Sequence, residues 1–519
     1  MKLFYATILA SCLAGLFLGC HACQSGEGNQ AADGDTDTAD SPEAEQDTFA
    51  RWPACEAGAA TQDITFIHVN DIHAAYTPDP LFDNESAVAR MVGYYRQALA
   101  RNPYTVFTNG GDDHEKGSVA EQLSGGYATS EVIKAMGFDV RVIGNHDWAW
   151  GEDELIGHTQ DDRALVLCGN TTYSGLKPYA AREFATLKVG CLTVGFFGLH
   201  PRPYDENNES YDGPYYKDNP DWETSYNWTT KAADIVARHR SEVDLMVMVS
   251  HLGQGEDRTI AELVDGIDVI LGGHSHTIMA DTEVINDTVI IQCGASAGFV
   301  GDLTLSVDLQ AKDITDISYD LVMNFPGTLP LDEPTNKAVL DIMNHYAPEA
   351  NTEVAWLKAG CSKVCMAQIL GRAALSMHQV DAAAVWLEIM WSTWASGGIT
   401  PQDMLDAAKV ERQPAGTPGW TSLYTVELTG ADLAVLLNEA EADSDWVVTR
   451  PVEALDNART YTLLLPKGPA FNPGRFFSVT FSGAPRFVSE TWALWDAYGR
   501  DRSANCQYLD TDDPLEPCP

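Results

Sequence analysis

The sequence predicts an α/β domain followed by a smaller α+β domain. Between about Thr61 and Leu321, short apolar runs alternate with helical patterns, as in βαβ units whose sheet is covered by helices. The stretch Asn324–Asn336, with Pro326, Pro330 and Pro334, breaks that alternation. The remainder opens with helical patterns and ends in strand-like runs. At 519 residues the chain can hold roughly two to four domains, each with its own core.

In chain order, residues 1–20 read as an export signal. Lys2 supplies a minimal positive start, and Leu3 to Leu18 is apolar apart from Thr7, Ser11 and Cys12, too short for a membrane span. The run ends Phe17-Leu18-Gly19-Cys20, a bacterial lipobox pattern that nominates Cys20 for lipidation; Leu9-Ala10-Ser11-Cys12 is the alternative. Residues 21–60 form an acidic, polar stretch expected to be a disordered tether, because it has too few large apolar residues to offset the entropy of ordering. Residues 61–323 are the main domain, with strand-like runs at Ile64–Val69, Tyr104–Thr108, Val140–Ile143, Leu245–Val249 and Val269–Leu271. Residues 324–339 read as a linker, and 340–519 as the second domain, with strands expected at Leu423–Leu428, Tyr461–Leu465 and Phe476–Phe481.

The chain carries 32 Lys and Arg against 75 Asp and Glu, a formal charge of −43. A field of that sign repels nucleic-acid backbones and excludes a nucleic-acid polymer as partner. Beyond the signal, nine cysteines remain: Cys23, Cys55, Cys168, Cys191, Cys293, Cys361, Cys365, Cys506 and Cys518. In an oxidising envelope they are disulfide candidates, with Cys361 and Cys365, and Cys506 and Cys518, as local pairs and at least one left over.

Each of the five strand-like runs leads into residues that bind metals. These are Asp71 and His73, Asp112, Asn145-His146-Asp147, His251, and His274 with His276. Ligand sites gather at the carboxyl ends of strands in α/β sheets, so the five loops should converge. Four of them have adjacent glycines that let backbones approach closely. Imidazole, carboxylate and amide together suit Zn, Mn, Fe, Co or Ni better than Ca or Mg.

His68-Val-Asn-Asp71-Ile-His73, Gly110-Gly-Asp112, Gly144-Asn145-His146-Asp147, Ser250-His251-Leu-Gly253 and Gly272-Gly-His274-Ser-His276 resemble the motifs of calcineurin-like metallophosphoesterases. Their order and spacing resemble the 5′-nucleotidase branch, with Val426-Glu-Leu-Thr-Gly430 as a weaker match in the second domain. The resemblance implies a four-layer sandwich, two sheets flanked by helices, for the first domain and a divergent substrate domain for the second. It implies two divalent transition-metal ions: Asp71, His73 and His276 on one, Asn145, His251 and His274 on the other, and Asp112 bridging. His146 would contact the substrate, as would Asn145.

Three positions depart from the family's pattern. Ala149 stands where an Asp orients the catalytic histidine; Glu115, three residues beyond Asp112, is the expected substitute, with Asp113 and Asp147 as alternatives. The second-domain loop reads Ala395-Ser-Gly397-Gly398-Ile-Thr400, with Thr400 where an Arg is usual; Gly397 and Gly398 remain expected substrate contacts. Trp420 lies one position from the place of the aromatic that stacks on the base.

The reading that follows is an exported, lipid-anchored hydrolase of small phosphate monoesters, nucleoside 5′-monophosphates foremost, touching the membrane only through its N-terminal lipid. Two alternatives stand beside it: a phosphodiesterase or pyrophosphohydrolase acting on cyclic nucleotides or nucleotide sugars, and a weakly active surface binding protein.

Overall fold

A computed structural model describes residues 51–519 apart from 204–209, 211, 213, 411, 414–416, 420, 451–453, 516–517 and 519. Cys20, Cys23 and Trp420 lie outside the described residues. The main strands of the first domain are β1 (Thr61–Val69), β2 (Thr105–Asn109), β3 (Val140–Val142), β4 (Leu165–Leu167), β5 (Phe184–Val189), β6 (Leu192–Leu199), β7 (Leu245–Ser250), β8 (Val269–Gly272), β9 (Glu283–Ile285), β10 (Thr288–Gln292), β11 (Phe299–Asp308) and β12 (Ile314–Met323), beside a small hairpin-like pair of Thr171–Tyr173 with Trp222–Thr224. They form two six-stranded sheets, ordered β12-β11-β1-β2-β3-β4 and β9-β10-β8-β7-β6-β5. In the first, β1 runs parallel to β2 with Thr65 opposite Thr105, and antiparallel to β11 with Thr61 opposite Asp308.

The period-2 alternation of side chains decides the layering. On β1, Ile64 and Phe66 meet Phe196, Val247 and Leu271 in the core between the sheets, whereas Ile67 and Val69 face outward with Phe107. Outward side chains are covered by Ala87–Arg101 and Tyr127–Met136 on one sheet, and by Trp228–His239 and Gln254–Leu263 on the other. Both faces of the central strands are therefore buried, which is why they read as continuous apolar runs. Helix, sheet, sheet and helix make the expected four layers.

The five strand-like runs that lead into ligands coincide with β1, β2, β3, β7 and β8, and all are parallel to a neighbour. Their carboxyl ends share one edge of the sandwich.

Two boundaries differ from expectation. The last ten residues assigned to the tether are fixed to the domain: Arg51 pairs with Asp139, Trp52 Nε1 donates to Thr105 O at 2.8 Å, and Cys55 is disulfide-bonded to Cys191. Composition alone hid these long-range anchors. Of the expected linker, 333–339 belongs to the helix Glu333–Tyr346; Asp332 caps it, accepting from Thr335 N at 3.1 Å, and Pro334 sits in its first turn, where proline starts helices as readily as it breaks them. Cys361–Cys365 and Cys506–Cys518 are bonded as proximity suggests, and Cys168 and Cys293 are free and buried.

The second domain centres on a five-stranded sheet, in spatial order Trp446–Thr449, Ala382–Trp386, Thr460–Pro466, Leu423–Thr429 and Arg486–Ser489. The strand expected at Phe476–Phe481 is absent: Pro473 opens a one-turn helix, Pro473–Phe476, and the edge strand is Arg486–Ser489. Met343, Met366 and Trp495 belong to the same apolar cluster as Val88, Met91 and Val132 of the first domain. One core joins the two.

Candidate metal centre

Asp71 and His73 follow β1, Asp112 follows β2, Asn145 and His146 follow β3, His251 follows β7, and His274 and His276 follow β8. The turns that present them are sharp. Asp71, His73, Asp112, His274 and His276 have φ of 51°, 51°, 56°, 73° and 54°, in the left-handed region that non-glycine residues avoid. Strain concentrated in ligand-bearing turns persists only where the surroundings over-determine it. Here glycines let the loops interlock: a Cβ at Gly144 would collide with Asp112, and one at Gly273 would stand 2.6 Å from Gly110 O.

Asp71, His73 and His276 bring one ligand atom each within 4.8 Å of one another, and so do Asp112, His251 and His274. His276 Nε2 lies 3.2 Å from Asp71 Oδ1, and His251 Nε2 3.0 Å from Asp112 Oδ2. Asp112 Oδ2 is also 3.9 Å from His73 Nε2, so this carboxylate faces both groups. The structure thus gathers all six histidine and aspartate ligands named from the sequence, with Asn145 on the same edge.

The donor chemistry fits a pair of cations. His251 Nδ1 donates to Gly110 O at 2.5 Å and His73 Nδ1 to His114 O at 3.1 Å, which places a proton on each Nδ1 and turns Nε2 inward as the atom that could meet a cation. His73 Nε2 and His276 Nε2 stand 3.0 Å apart. Asn145 Oδ1 is buried without a hydrogen-bond partner, a costly state unless a cation binds it. Burial lowers the pKa of His73 to about 3 and that of His274 to about 4, so both imidazoles stay neutral, as metal binding requires; burial also opposes a charge on His251, but the carboxylates of Asp112 and Asp71 outweigh it and raise that ring to about 10, a proton that a cation would have to displace. Burial pushes Asp112 upward, but the charges of His251 and His146 hold it well below the usual carboxylate range.

Further side chains brace these ligands. Asn70 Nδ2 donates to Asp71 Oδ2 at 2.6 Å and to Gly294 O at 2.7 Å. Gln292 accepts from Ser275 Oγ at 2.8 Å and from Thr277 N at 2.5 Å, locking the turn that carries His274 and His276. Asn70 lies inside the quoted motif; Gln292 has no sequence signal, because its partners are 15–17 residues away in a loop of no fixed pattern.

His146 Nδ1 contacts Glu115 Oε2 directly. Burial disfavours the imidazolium, but the charges of Glu115 and Asp112 outweigh it and raise the pKa of His146 above its ordinary value. The alternatives to Glu115 are otherwise engaged. Asp147 accepts from Gly144 N at 2.7 Å, from Asp113 N at 2.9 Å and from the His114 ring at 2.9 Å. Asp113 accepts from Asn109 Nδ2 at 2.5 Å and lies 3.2 Å from His158 Nε2. Ala149 is buried and ends the short helix that begins at His146.

Beyond His73 the edge opens into a cleft of about 600 Å³ shared with the second domain, lined by Ala75, Thr77, Gly117, Glu353, Gly398 and Thr400 among others. Gly398 lies in the strand Gly397–Ile399, against the Glu353 carboxyl, where a Cβ would collide. Gly397, its neighbour in that strand, has φ 119°. Thr400 is spent on structure: its Oγ1 accepts from Asp403 N at 3.1 Å and its N donates to Asp403 Oδ2 at 2.8 Å, a capping box for the helix Pro401–Ala407.

Residues 64–277 match the model of the calcineurin-like phosphoesterase family. A trifunctional nucleotide phosphoesterase of Bacillus subtilis is 25% identical over 311 residues, 53% of this chain and 20% of that protein. A snake venom 5′-nucleotidase of Crotalus adamanteus is 21% identical over 345 residues, 60% of this chain and 57% of that one. The chain therefore spans little more than half, or less, of the length of these relatives. The crystal structure of a 5′-nucleotidase precursor from Thermus thermophilus superposes with a TM-score of 0.61 at 18% identity, covering 85% of this chain and 96% of that one, and so shares the fold across both domains. Together, these comparisons identify a calcineurin-like phosphoesterase domain over residues 64–277, in a chain that has relatives among the 5′-nucleotidases and shares the fold of a solved one.

Proposed function

We propose that the protein hydrolyses phosphate monoesters, nucleoside 5′-monophosphates foremost, and that it does so in the cell envelope, anchored by a lipid on Cys20. The observation that carries the reading is the pair of ligand groups joined by Asp112, with His146 beside them. Two divalent transition-metal ions, Zn, Mn, Fe, Co or Ni, would be held by Asp71, His73 and His276 and by Asn145, His251 and His274; when bound, they supply an activated water and neutralise charge at phosphorus.

This chain's own residues do the rest. His146, with Nδ1 on Glu115, is poised with Nε2 inward to stabilise the phosphoryl oxygens or to protonate the leaving oxygen. Glu115 positions that ring. Asn145 and the Gly397-Gly398 segment would contact the ester.

The cleft favours a monoester over a pyrophosphate. Asp79, Glu353, Asp403 and Asp406 line it, with no Lys or Arg among its described lining residues. A leaving group with further phosphates would be repelled there, whereas a neutral nucleoside would not. Export is supported by the Cys55–Cys191 disulfide, a bond of oxidising compartments, and no helix among the described residues is long and apolar enough to cross a membrane.

Phosphate release from a panel of nucleoside monophosphates, diphosphates, cyclic nucleotides and nucleotide sugars, with Mn- or Zn-loaded protein, tests the reading. Monophosphates should be hydrolysed fastest. Preference for a diphosphate or a cyclic nucleotide would overturn the substrate assignment.

A further inference from the structure

His114, two residues beyond Asp112, is fully buried and tied to both ligand groups. Its backbone oxygen accepts from His73 Nδ1 at 3.1 Å, in the first group. Its ring lies 2.9 Å from Asp147 Oδ1 through Nδ1 and 3.1 Å from Glu154 Oε1 through Nε2. Ionised carboxylates only accept, so the ring donates from both nitrogens.

Asp147 lies between the two turns that carry Asp112 and Asn145. Its Oδ2 accepts from Gly144 N at 2.7 Å and Asp112 N at 3.2 Å, and its Oδ1 from Asp113 N at 2.9 Å and His114 N at 3.2 Å. The turns are also tied directly: His146 N donates to Asp112 Oδ1 at 2.8 Å, which leaves Asp112 Oδ2 to face His251. The orientation of one buried carboxylate therefore sets how far the loop after β2 stands from the loop after β3. Among the described residues, its side-chain donor is the His114 ring.

The far end of that ring is anchored too. Glu154 Oε1 also accepts from Ser130 Oγ at 2.6 Å, and Ser130 Oγ lies 2.8 Å from His158 Nδ1. Ser130 belongs to the helix Tyr127–Met136, and Glu154 and His158 to the helix Glu152–Thr159, so the chain of contacts from Asp147 ends on helices packed beside the sheet. Asp147, His114 and Glu154 are all buried, a costly way to fill space when an apolar trio of like volume is often as stable or more so. What an apolar trio cannot do is aim a carboxylate.

We propose that His114 is a positioning residue for the metal pair: its Nδ1–H holds the Asp147 carboxylate in the orientation that fixes the spacing of the Asp112 and Asn145 turns, and so of two bound cations. Resting on the two-metal reading above, this deepens it: Asp112 joins the sites, and His114 sets the distance across which they are joined.

Electron paramagnetic resonance of the full-length, Mn-loaded protein reads that spacing, because the coupling of two Mn(II) ions depends on their separation and on the bridge between them. Two substitutions divide the ring's contacts. The amide nitrogen in His114→Asn falls near the place of Nδ1 and can still donate to Asp147, whereas that in His114→Gln falls near the place of Nε2 and can donate only to Glu154. His114→Gln should lose the coupled signal and lower kcat roughly 10–100-fold at unchanged KM, the scale of a small misplacement of reacting groups. His114→Asn should keep the coupling. Adding Glu154→Leu to His114→Asn removes the carboxylate left without a ring donor, and this double variant should keep the coupling as well. A wild-type signal in His114→Gln would overturn the proposal. So would loss of coupling in both His114→Asn and the double variant, or losses that follow each variant's unfolding temperature, since those assign His114 to stability alone. Failure of the two-metal reading would show separately, as an uncoupled signal in the wild type, and would overturn both.

Discussion

At the scale of single residues, His146 is held by a carboxylate that reaches it from the loop of Asp112 and not from its own helix. Glu115 was legible because its distance from Asp112 in sequence is short and Asp112 was already fixed by its motif. What sequence could not decide was the choice among Glu115, Asp113 and Asp147. That depended on Asp113 and Asp147 being consumed by Asn109, His114 and backbone N–H groups, contacts that no spacing reveals. Glu115→Gln should lower kcat by roughly 10–100-fold with metal content unchanged. The sign of the pH effect follows from charge: without the carboxylate the imidazolium loses its counter-charge, so the pKa of His146 falls and the limb of the kcat–pH profile that depends on protonated His146 moves to lower pH. Ala149→Asp should restore part of the rate. An unchanged rate and profile would remove Glu115 from the account.

At the scale of elements, strands buried on both faces were legible, because a parallel strand in a four-layer fold must be apolar along its length. Elements governed by a cap or a proline were not. Pro334 read as a breaker and instead begins a helix, because the residue that decides between the two roles, Asp332, acts through a hydrogen bond and not through composition. The helix Pro401–Ala407 illustrates the consequence for the site. Its Gln402 accepts from Val119 N at 3.1 Å and from Thr77 Oγ1 at 3.2 Å, and donates to Gly117 O, tying the second domain to the loop after Asp112. Gln402→Ala leaves a buried backbone donor unpaired and should cost about 1–3 kcal/mol in denaturant unfolding. A change within error would show that water replaces the clamp.

At the scale of the whole molecule, two features resist fragmentation. The Cys55–Cys191 bond closes a span of 136 residues between the amino-terminal strap and the second sheet. Loops of that length give disulfides their largest effect, so Cys55→Ser should destabilise by about 2–5 kcal/mol, read as a lower unfolding midpoint. The apolar cluster shared by Val88, Met343 and Trp495 predicts that both domains unfold in one calorimetric transition, and two separated transitions would contradict a common core. The fusion was not legible in sequence, since a run of three prolines marks a boundary between helical patterns but says nothing of what packs across it. Charge, by contrast, was legible at once and bears on partners and solubility, not on the fold.

The central claim is that Asp112 joins two metal sites, and the most direct measurement is metal content, by elemental analysis of the purified protein after loading with Mn, for wild type and Asp112→Asn, with phosphate release assayed on the same samples. Two equivalents of metal are expected in the wild type, and, in a variant with an unchanged circular dichroism spectrum, reduced metal and a rate lower by orders of magnitude. One equivalent in the wild type, or near-normal hydrolysis by Asp112→Asn, would contradict it.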